Sequence, residues 1–438
     1  MQGLDENRAC WLDEALPYEP LPPLRGRQTA DVAVIGGGFT GVSTAWHLSR
    51  RFPERRIVLL EAELLANGAS GRNGGQALTW INGVESSEAT EVRRIYDVTR
   101  SGIDLIADLV ERYQLDAGFT RRGCLQVYTS AAAAEAAHSR VERLDQAGVP
   151  VEWVAGGATG VHGAHGAIRD PACGRVNGVA LLRGLRPVLQ AQGVVVYEHT
   201  PAQSIAEGTT VCVTTPHGEI RANAVVLATN AYTPSLGYFR QGILPLHSHV
   251  VATRPMPDSL WAKLGWDAHD GFADDRDRIA YGSRTCGGRL LFGGGGNHAY
   301  TYLYGGNPIV AADQGGATRS FAAIERRMHA YFPALADVPI GHRWTGTLAI
   351  TLDRVCSMGV RGAHRNIYYA LGYSGHGVAL AMLAGRVLCD LYSDDHAPWA
   401  DLPFYQKRLP RLPPEPLRWI GYQVYTRLTG RSPRRGAW

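Results

Sequence analysis

No two of the seven cysteines are spaced as a CxxC pair; they stand at 10, 124, 173, 212, 286, 356 and 389. That scatter, with its odd total, argues against a disulfide framework and against the usual structural zinc and iron–sulfur sites. No apolar run approaches the roughly 18 residues that a membrane-spanning helix needs. The opening stretch, MQGLDENRACWLDEALPYEPLPPL, is acidic, interrupted by Pro17, Pro20, Pro22 and Pro23, and lacks the apolar segment of a secretion signal. A reducing compartment, the cytoplasm, is the expected location. Charge of one sign is also scarce. The 44 basic and 40 acidic side chains leave a net charge of +4, too mild and too dispersed for a nucleic-acid binder. There is no catalytic triad or acid–base dyad to point to hydrolysis.

Glycine is what abounds. The 52 glycines among 438 residues make up about 12%, against a usual share near ~7%. They cluster at 36–41, 68–75, 293–296 and 372–377, which suggests backbone held close to a ligand. The length allows two large domains or three small ones. Asp31–Ile35 (DVAVI) reads as a buried parallel strand, Val42–Phe52 as a helix, and Ile57–Leu60 as a second buried strand ending in Glu61. This is a βαβ unit. Its turn, Gly36-Gly37-Gly38-Phe39-Thr40-Gly41, fits the GxGxxG pattern of dinucleotide sites: a tight turn, close approach of backbone to pyrophosphate, and close helix–strand packing. Glu61 can accept from both ribose hydroxyls and would repel a 2′-phosphate. The second cluster, 68–76, follows at once, where a loop can wrap an extended cofactor. The third, 372–377, joins the strand Ile367–Leu371 to a helix over Val378–Tyr392, placing a helix N-terminus over an anionic edge.

Further helices are expected over Glu88–Tyr113, Ala131–Gln146 and Thr318–Tyr331, and strands over Gly193–Tyr197 and Glu219–Ala228. Short β-like runs from Leu246 to Gly296 suggest an antiparallel sheet. The resulting expectation is an α/β protein: a discontinuous Rossmann-like FAD-binding domain (28–95, 165–245 and 340–398) with an inserted antiparallel-sheet substrate domain (96–164 and 246–339). Residues 399–438 form a basic tail. In it Leu417, Ile420, Val424 and Leu428 follow helical spacing beside Arg418, Arg427, Arg431, Arg434 and Arg435. Such a tail is expected to dock on its own domain; a membrane surface is the alternative.

The segments DVAVIGGGFTGVSTAWHL (31–48), LLEAELLANGASGRNGGQ (59–76), VVLATNAYTP (225–234), RLLFGGG (289–295), HRWTGTLAITLD (342–353) and LGYSGHGVALAMLAGRVL (371–388) carry a resemblance. Together they resemble the FAD-dependent amine oxidoreductases of the D-amino-acid oxidase and glycine oxidase superfamily, with the γ-glutamylputrescine oxidoreductase branch nearest. The resemblance implies FAD held by Gly36, Gly38, Phe39, Thr40 and Gly41, and by Glu61 with Ala62. It adds the loop Ser70, Gly71, Arg72, Asn73, Gly74, Gly75 and Gln76, then Ala202, Thr229 and Asn230. Gly372, Tyr373, Ser374, Gly375, His376, Gly377 and Val378 complete the set. It further implies a small-molecule amine substrate, hydride transfer to flavin N5, hydrolysis of the imine, and reoxidation by O2 to give H2O2. The alternatives are a dehydrogenase with another electron carrier, or a protein that modifies tRNA wobble uridines, which would need a broad basic groove.

Some positions depart from the sarcosine-oxidase relatives. Val378 stands where they hold a substrate-binding lysine, and Leu291 where they carry a lysine tied to oxygen. Their flavin-tethering cysteine has no counterpart, since Cys356 falls after the Leu352-Asp353 pair, so non-covalent FAD is expected. Among residues of the substrate sheet, His249, Tyr281 and Arg284 are the substrate-facing candidates, with His247 and Arg254 beside them. Trp344 and Asp353 suit packing and turn roles equally well.

Overall fold

The computed structural model describes residues 4–276, 278–306, 317–395 and 397–429. Among them an eight-stranded sheet carries five parallel strands in the spatial order Val195–Tyr197, Ile57–Leu60, Gly26–Ile35, Gly218–Leu227, Ile367–Leu371. Ile57–Leu60 is buried along its whole length, because both faces are covered: Ile57 and Leu59 pack under the helices, and Val58 and Leu60 against Ala231, Tyr238 and Ile243 on the other side. From Gly26–Ile35 the chain moves outward in one direction, and it later re-enters on the other side as Gly218–Leu227. The strand order reverses between these two, and ligands of open α/β sheets bind at the carboxyl ends of such a pair.

Helix Phe39–Arg51 packs on helix Gly377–Tyr392, which also contacts helix Ala89–Arg112. The approach is close. A Cβ on Gly385 would lie 2.2 Å from Ser43 Oγ, and that hydroxyl donates to the Met382 carbonyl (2.6 Å). Two segments separated by more than 300 residues are thereby pinned side by side, with both helix N-termini at the same end of the sheet.

The ten-stranded sheet is mostly antiparallel and runs from Ile340–Ile350 through Leu244–Thr253, Leu290–Gly294, Ala280–Arg284 and Gly271–Asp274 to Cys124–Tyr128, Gly166–Asp170 and Glu152–Ala155. Alternation divides its side chains. Val251, Phe272, Leu290 and Phe292 join Trp261, Trp266 and Phe332 in a core on the face away from the parallel sheet. Val250, Ala252, Leu291 and Trp344 point the other way, into the core shared with the dinucleotide-binding half.

One detail differs from the sequence expectation. Gly166–Asp170 and Ile340–Ile350, assigned to the parallel-sheet domain, belong to the ten-stranded sheet, since their backbone groups pair with Cys124–Tyr128 and Leu244–Thr253. Helix Gly178–Ala191 buries Leu181, Leu182, Leu185 and Leu189 and accommodates Pro187 within it. The N-terminal arm is tied down. Trp11 is fully buried and its Nε1–H donates to the Asn73 carbonyl (2.8 Å), while Asn177 donates back to the Trp11 carbonyl (2.9 Å). At the other end, Leu417–Thr429 is a helix; Arg431, Arg434 and Arg435 lie outside the described residues.

Candidate active site

A cavity of about 1090 Å³ lies between the two sheets. Its floor is the turn Gly36–Thr40, the end of the strand at Leu60–Glu63, and residues Ala228–Tyr232 after the strand Gly218–Leu227. The loop Gly68–Gln76 forms one flank and Tyr373–Val378 another. Its roof is the inward face of the ten-stranded sheet: Gln126, Tyr128, Ser248, Tyr281 and Leu348.

Hydrogen bonds lock the glycine-rich pieces together. Ser70 Oγ accepts from Phe39 N–H (3.0 Å), Thr40 Oγ1 meets Tyr373 Oη (2.7 Å), and Asn230 Oδ1 accepts from Gly372 N–H (2.9 Å). Arg72 is spent on structure. Its guanidinium donates to the carbonyls of Asn67 (3.0 Å), Asn7 (3.1 Å) and Thr345 (3.1 Å), and its own carbonyl accepts from Trp344 Nε1 (3.0 Å). Gln76 bridges to the Phe272 and Gly282 carbonyls (3.1 and 3.2 Å), and Ser283 donates to the Gly74 carbonyl (2.7 Å). These contacts clamp the loop to the roof.

The residues singled out in the sequence fall into three groups. Gly36, Gly38, Phe39, Thr40, Glu61, Ala62, Ser70, Arg72, Asn73, Gly74 and Gln76 line the cavity, as do Ala202, Thr229, Asn230 and the run Tyr373–Val378. Gly41, Gly71, Gly75 and Gly372 stand behind the wall and serve packing. A Cβ on Gly41 would lie 1.8 Å from the Gly36 carbonyl oxygen, and one on Gly71 would lie 2.2 Å from that of Ala66. Of the three substrate-facing candidates Tyr281 alone lines the cavity; His247 borders it as well, and Arg254 does not. The Tyr281 ring crosses Gly293 and abuts Gly74, where a Cβ would lie 2.4 and 2.9 Å from it.

His249 and Arg284 stand on the opposite face of the sheet. His249 Nδ1–H donates to the Ala299 carbonyl (3.1 Å), its ring packs edge-on against Phe321, and burial lowers its pKa so that it stays neutral. Arg284 lies over Trp261 and pairs with Asp258 (3.0 Å). Strand alternation is the cause: Arg284 is an odd number of residues from Tyr281. Tyr96, Trp80, Tyr128 and Tyr300 also line the cavity. No sequence signal distinguishes them from ordinary core aromatics, and neither does any mark Trp11, which holds the loop from behind.

This arrangement fits FAD. Helix Phe39–Arg51 starts at Gly38 with no side-chain cap and no acid in its first turn, leaving N–H groups and the positive dipole end for a pyrophosphate. Helix Gly377–Tyr392 likewise starts without a side-chain cap, and would face the pyrimidine edge of a flavin. Glu61 Oε2 accepts from Gly37 N–H (2.6 Å) and Oε1 from Glu63 N–H (3.0 Å) at the cavity wall, where it would take the ribose hydroxyls. Burial pushes the Glu61 carboxyl up to about 7, against the pull of those two donors.

The sign of the pH effect follows from that shift. The unfolded chain ionises Glu61 first, so the apoprotein loses stability as pH rises from the ordinary carboxyl range through 7. Ribose hydroxyls favour the ionised form. FAD binding should therefore release a proton and tighten by about tenfold between pH 6 and pH 8. Glu61→Gln should flatten that profile and weaken binding by about one to two decades at pH 8, since a hydrogen bond to a charged group contributes roughly 1.5–3 kcal/mol. Its kcat at saturating FAD should stay near that of the parent. Titrating apoprotein with FAD by fluorescence checks this; a flat profile in the parent would remove Glu61 from the cofactor site.

Comparison with known proteins agrees with the geometry. The family model described as FAD dependent oxidoreductase (DAO) matches residues 31–391. The chain is 30% identical over 411 residues to gamma-glutamylputrescine oxidoreductase of Escherichia coli, covering 89% of this chain and 90% of that one. It is 31% identical over 399 residues to a probable oxidoreductase, OrdL, of Rhizobium meliloti, with 87% of each covered. The crystal structure of glycine oxidase from Geobacillus kaustophilus superposes with a TM-score of 0.72 at 21% identity, over 87% of this chain and 99% of that one. The cavity, the uncapped helix and the placed carboxylate agree with this match: the chain belongs to the DAO family of FAD dependent oxidoreductases.

Proposed function

We propose that this enzyme oxidises a primary or secondary amine carrying a long, largely apolar substituent, with O2 as the final acceptor. In outline an N-substituted amine R–CH2–NHR′, O2 and water give the aldehyde, the amine R′NH2 and H2O2. FAD, when bound, supplies the hydride acceptor. The observation that carries the reading is the makeup of the cavity beyond the cofactor elements: Tyr96, Tyr128, Leu144, Val149, Val151 and Ile168 line an apolar arm. The carboxylate there, Asp170, is held by Thr79 Oγ1–H (2.5 Å), Tyr96 Oη–H (3.1 Å) and Ala172 N–H (2.9 Å). Such an arm excludes water and lowers the pKa of a bound alkylamine from its free value of roughly 10, so that the nitrogen lone pair is available. No base is then needed. Burial raises the Tyr281 phenol, which stays protonated and serves as a donor.

Similarity to gamma-glutamylputrescine oxidoreductase supports an amine with its polar end remote from the oxidised carbon. An oxygen electrode and an anaerobic dye assay, run in parallel on a panel of amines, test the reading. Apolar secondary amines should bleach the flavin anaerobically and consume O2. If no amine reduces the enzyme, the substrate class is wrong; reduction without O2 uptake would replace O2 by another acceptor.

A further inference from the structure

Tyr128 ends the strand Cys124–Tyr128, lines the apolar arm of the cavity and is only 3% exposed. Its Oη is buried and has no hydrogen-bond partner among the described residues. Native proteins rarely leave such a group unpaired, because its lost hydration is not repaid. The surroundings explain the deficit. Cys124, Gln126 and Tyr128 share the inward face of the sheet, and Tyr128 packs there with Ala134, Ala137, Val151 and Ile168. Leu144 and Val149 continue the same wall. None of these apolar side chains has a polar atom to offer. The charges that act on the phenol oppose each other: Arg140 of helix Ala131–Gln146 on one side and Asp275 on the other. Asp275 accepts from the Thr129 N–H (3.2 Å) and hydroxyl (2.8 Å). Burial pushes the Tyr128 phenol up to about 12, so it stays protonated and able to donate.

Tyr281 marks another place on the same face. Its ring is clamped between Gly293 and Gly74 of the loop Gly68–Gln76, and its phenol approaches Ser248 Oγ. Tyr281 stands opposite Ala273, and Ala273 opposite Gln126. Tyr128 is therefore two strands and two residues away, about 12 Å at spacings of about 4.8 Å per strand and about 3.3 Å per residue. Gln126, between them, already donates to the Asp274 carbonyl (2.9 Å). Given the amine oxidation argued above, we propose that Tyr128 donates to an uncharged acceptor oxygen at the far end of the substrate, so that the preferred substrates are amines whose long substituent ends in an amide. A carbonyl oxygen gives the phenol the partner it lacks at little cost in desolvation. An ammonium or a carboxylate fits worse, since it loses to one of Arg140 and Asp275 what it gains from the other, while the apolar wall strips its hydration. Asp170, the charged group of the arm, stands opposite Cys124, four residues from Tyr128, and is already held by Thr79, Tyr96 and Ala172.

Two sets of N-methylalkylamines, with chains from butyl to octyl, test this on the holoenzyme. One set is capped by a carboxamide and the other by an isopropyl group of the same shape. Anaerobic bleaching of the flavin gives the apparent Kd of each. At the chain length that reaches Tyr128 the carboxamide should bind about tenfold more tightly than its alkyl counterpart, the effect of one hydrogen bond to a group with no other partner. Tyr128→Phe should bring the two sets level. Its Tm should match or exceed that of the parent, because the hydroxyl removed is unpaired in the free protein; a tyrosine with a structural role would lower it. A carboxamide preference that survives in Tyr128→Phe overturns the proposal. So does an alkyl set that binds as well as the amides at every length, or an ammonium or carboxylate cap that binds more tightly than the amide. If neither set bleaches the flavin, the amine reading falls, and hexanamide, followed by the shift of the flavin absorbance on binding, decides the role of Tyr128: binding weakened in Tyr128→Phe upholds it, and binding unchanged removes it.

Discussion

Replacing Gly38 with valine should give a folded but colourless protein. Gly38 is extended, with φ −87° and ψ −170°, so valine meets no backbone strain there. A Cβ at that position would lie 2.6 Å from Ser70 Oγ, the terminal atom of a short side chain that can rotate away. The apoprotein then loses a single bond, Ser70 to Phe39 N–H. The cofactor has no such freedom. Its pyrophosphate must approach the uncapped turn closely enough to collect the free N–H groups. Overpacking costs roughly 1–3 kcal/mol, and each charge-assisted bond withheld costs about 1.5–3 kcal/mol more. At about 1.4 kcal/mol per decade, FAD affinity should fall by about three decades. Gly41→Ala provides the contrast, because its Cβ would stand 1.8 Å from a backbone oxygen that cannot rotate; that variant should fail to fold. Flavin absorbance per mole of purified protein, with circular dichroism as the fold check, decides. A Gly38→Val protein holding stoichiometric FAD would remove the turn from the pyrophosphate site.

Sarcosine should be a poor substrate, at least about a hundredfold below a long apolar secondary amine in kcat/KM. A carboxylate next to the oxidised carbon has to be buried close to the flavin, and burying an ion without a partner costs several kcal/mol even after relaxation. Val378 lines the cavity and offers neither charge nor donor. Arg72, the cation of the flavin loop, is already shared among the Asn67, Asn7 and Thr345 carbonyls. Arg284, which could have substituted for it, is held on the far face by Asp258 and Trp261. An apolar substituent meets the opposite situation, since it leaves water for Tyr128, Val151 and Ile168 at about 25 cal/mol per Å² buried. Ile168→Trp, which fills the arm, should therefore lower kcat/KM for long amines more than for short ones. Sarcosine surpassing the long amines tenfold would sink the prediction and make Arg354, the other arginine in the cavity lining, the candidate carboxylate partner.

The glycine-rich floor of the cavity was legible in the sequence because its determinants are local. Close approach of backbone to a phosphate demands glycine, a strand demands a short apolar run when both faces are covered, and the ribose ligand must end the next strand. Gly36, Gly38 and Glu61 satisfy these within some 25 residues, so their spacing alone placed them. The rest of the lining was not legible, because it is assembled from single side chains on strands and helices far apart in the chain. Whether Tyr281 or Arg284 faces the cavity depends on the parity of one strand against its neighbours Gly271–Asp274 and Leu290–Gly294. Tertiary pairing also moved Gly166–Asp170 and Ile340–Ile350 into the other sheet, and brought Trp11 under Asn73. The C-terminal helix shows the same division. Its spacing in the sequence forecast an amphipathic helix, but only the polar anchors at Arg418, Tyr422 and Thr426 decided that the apolar side would face outward.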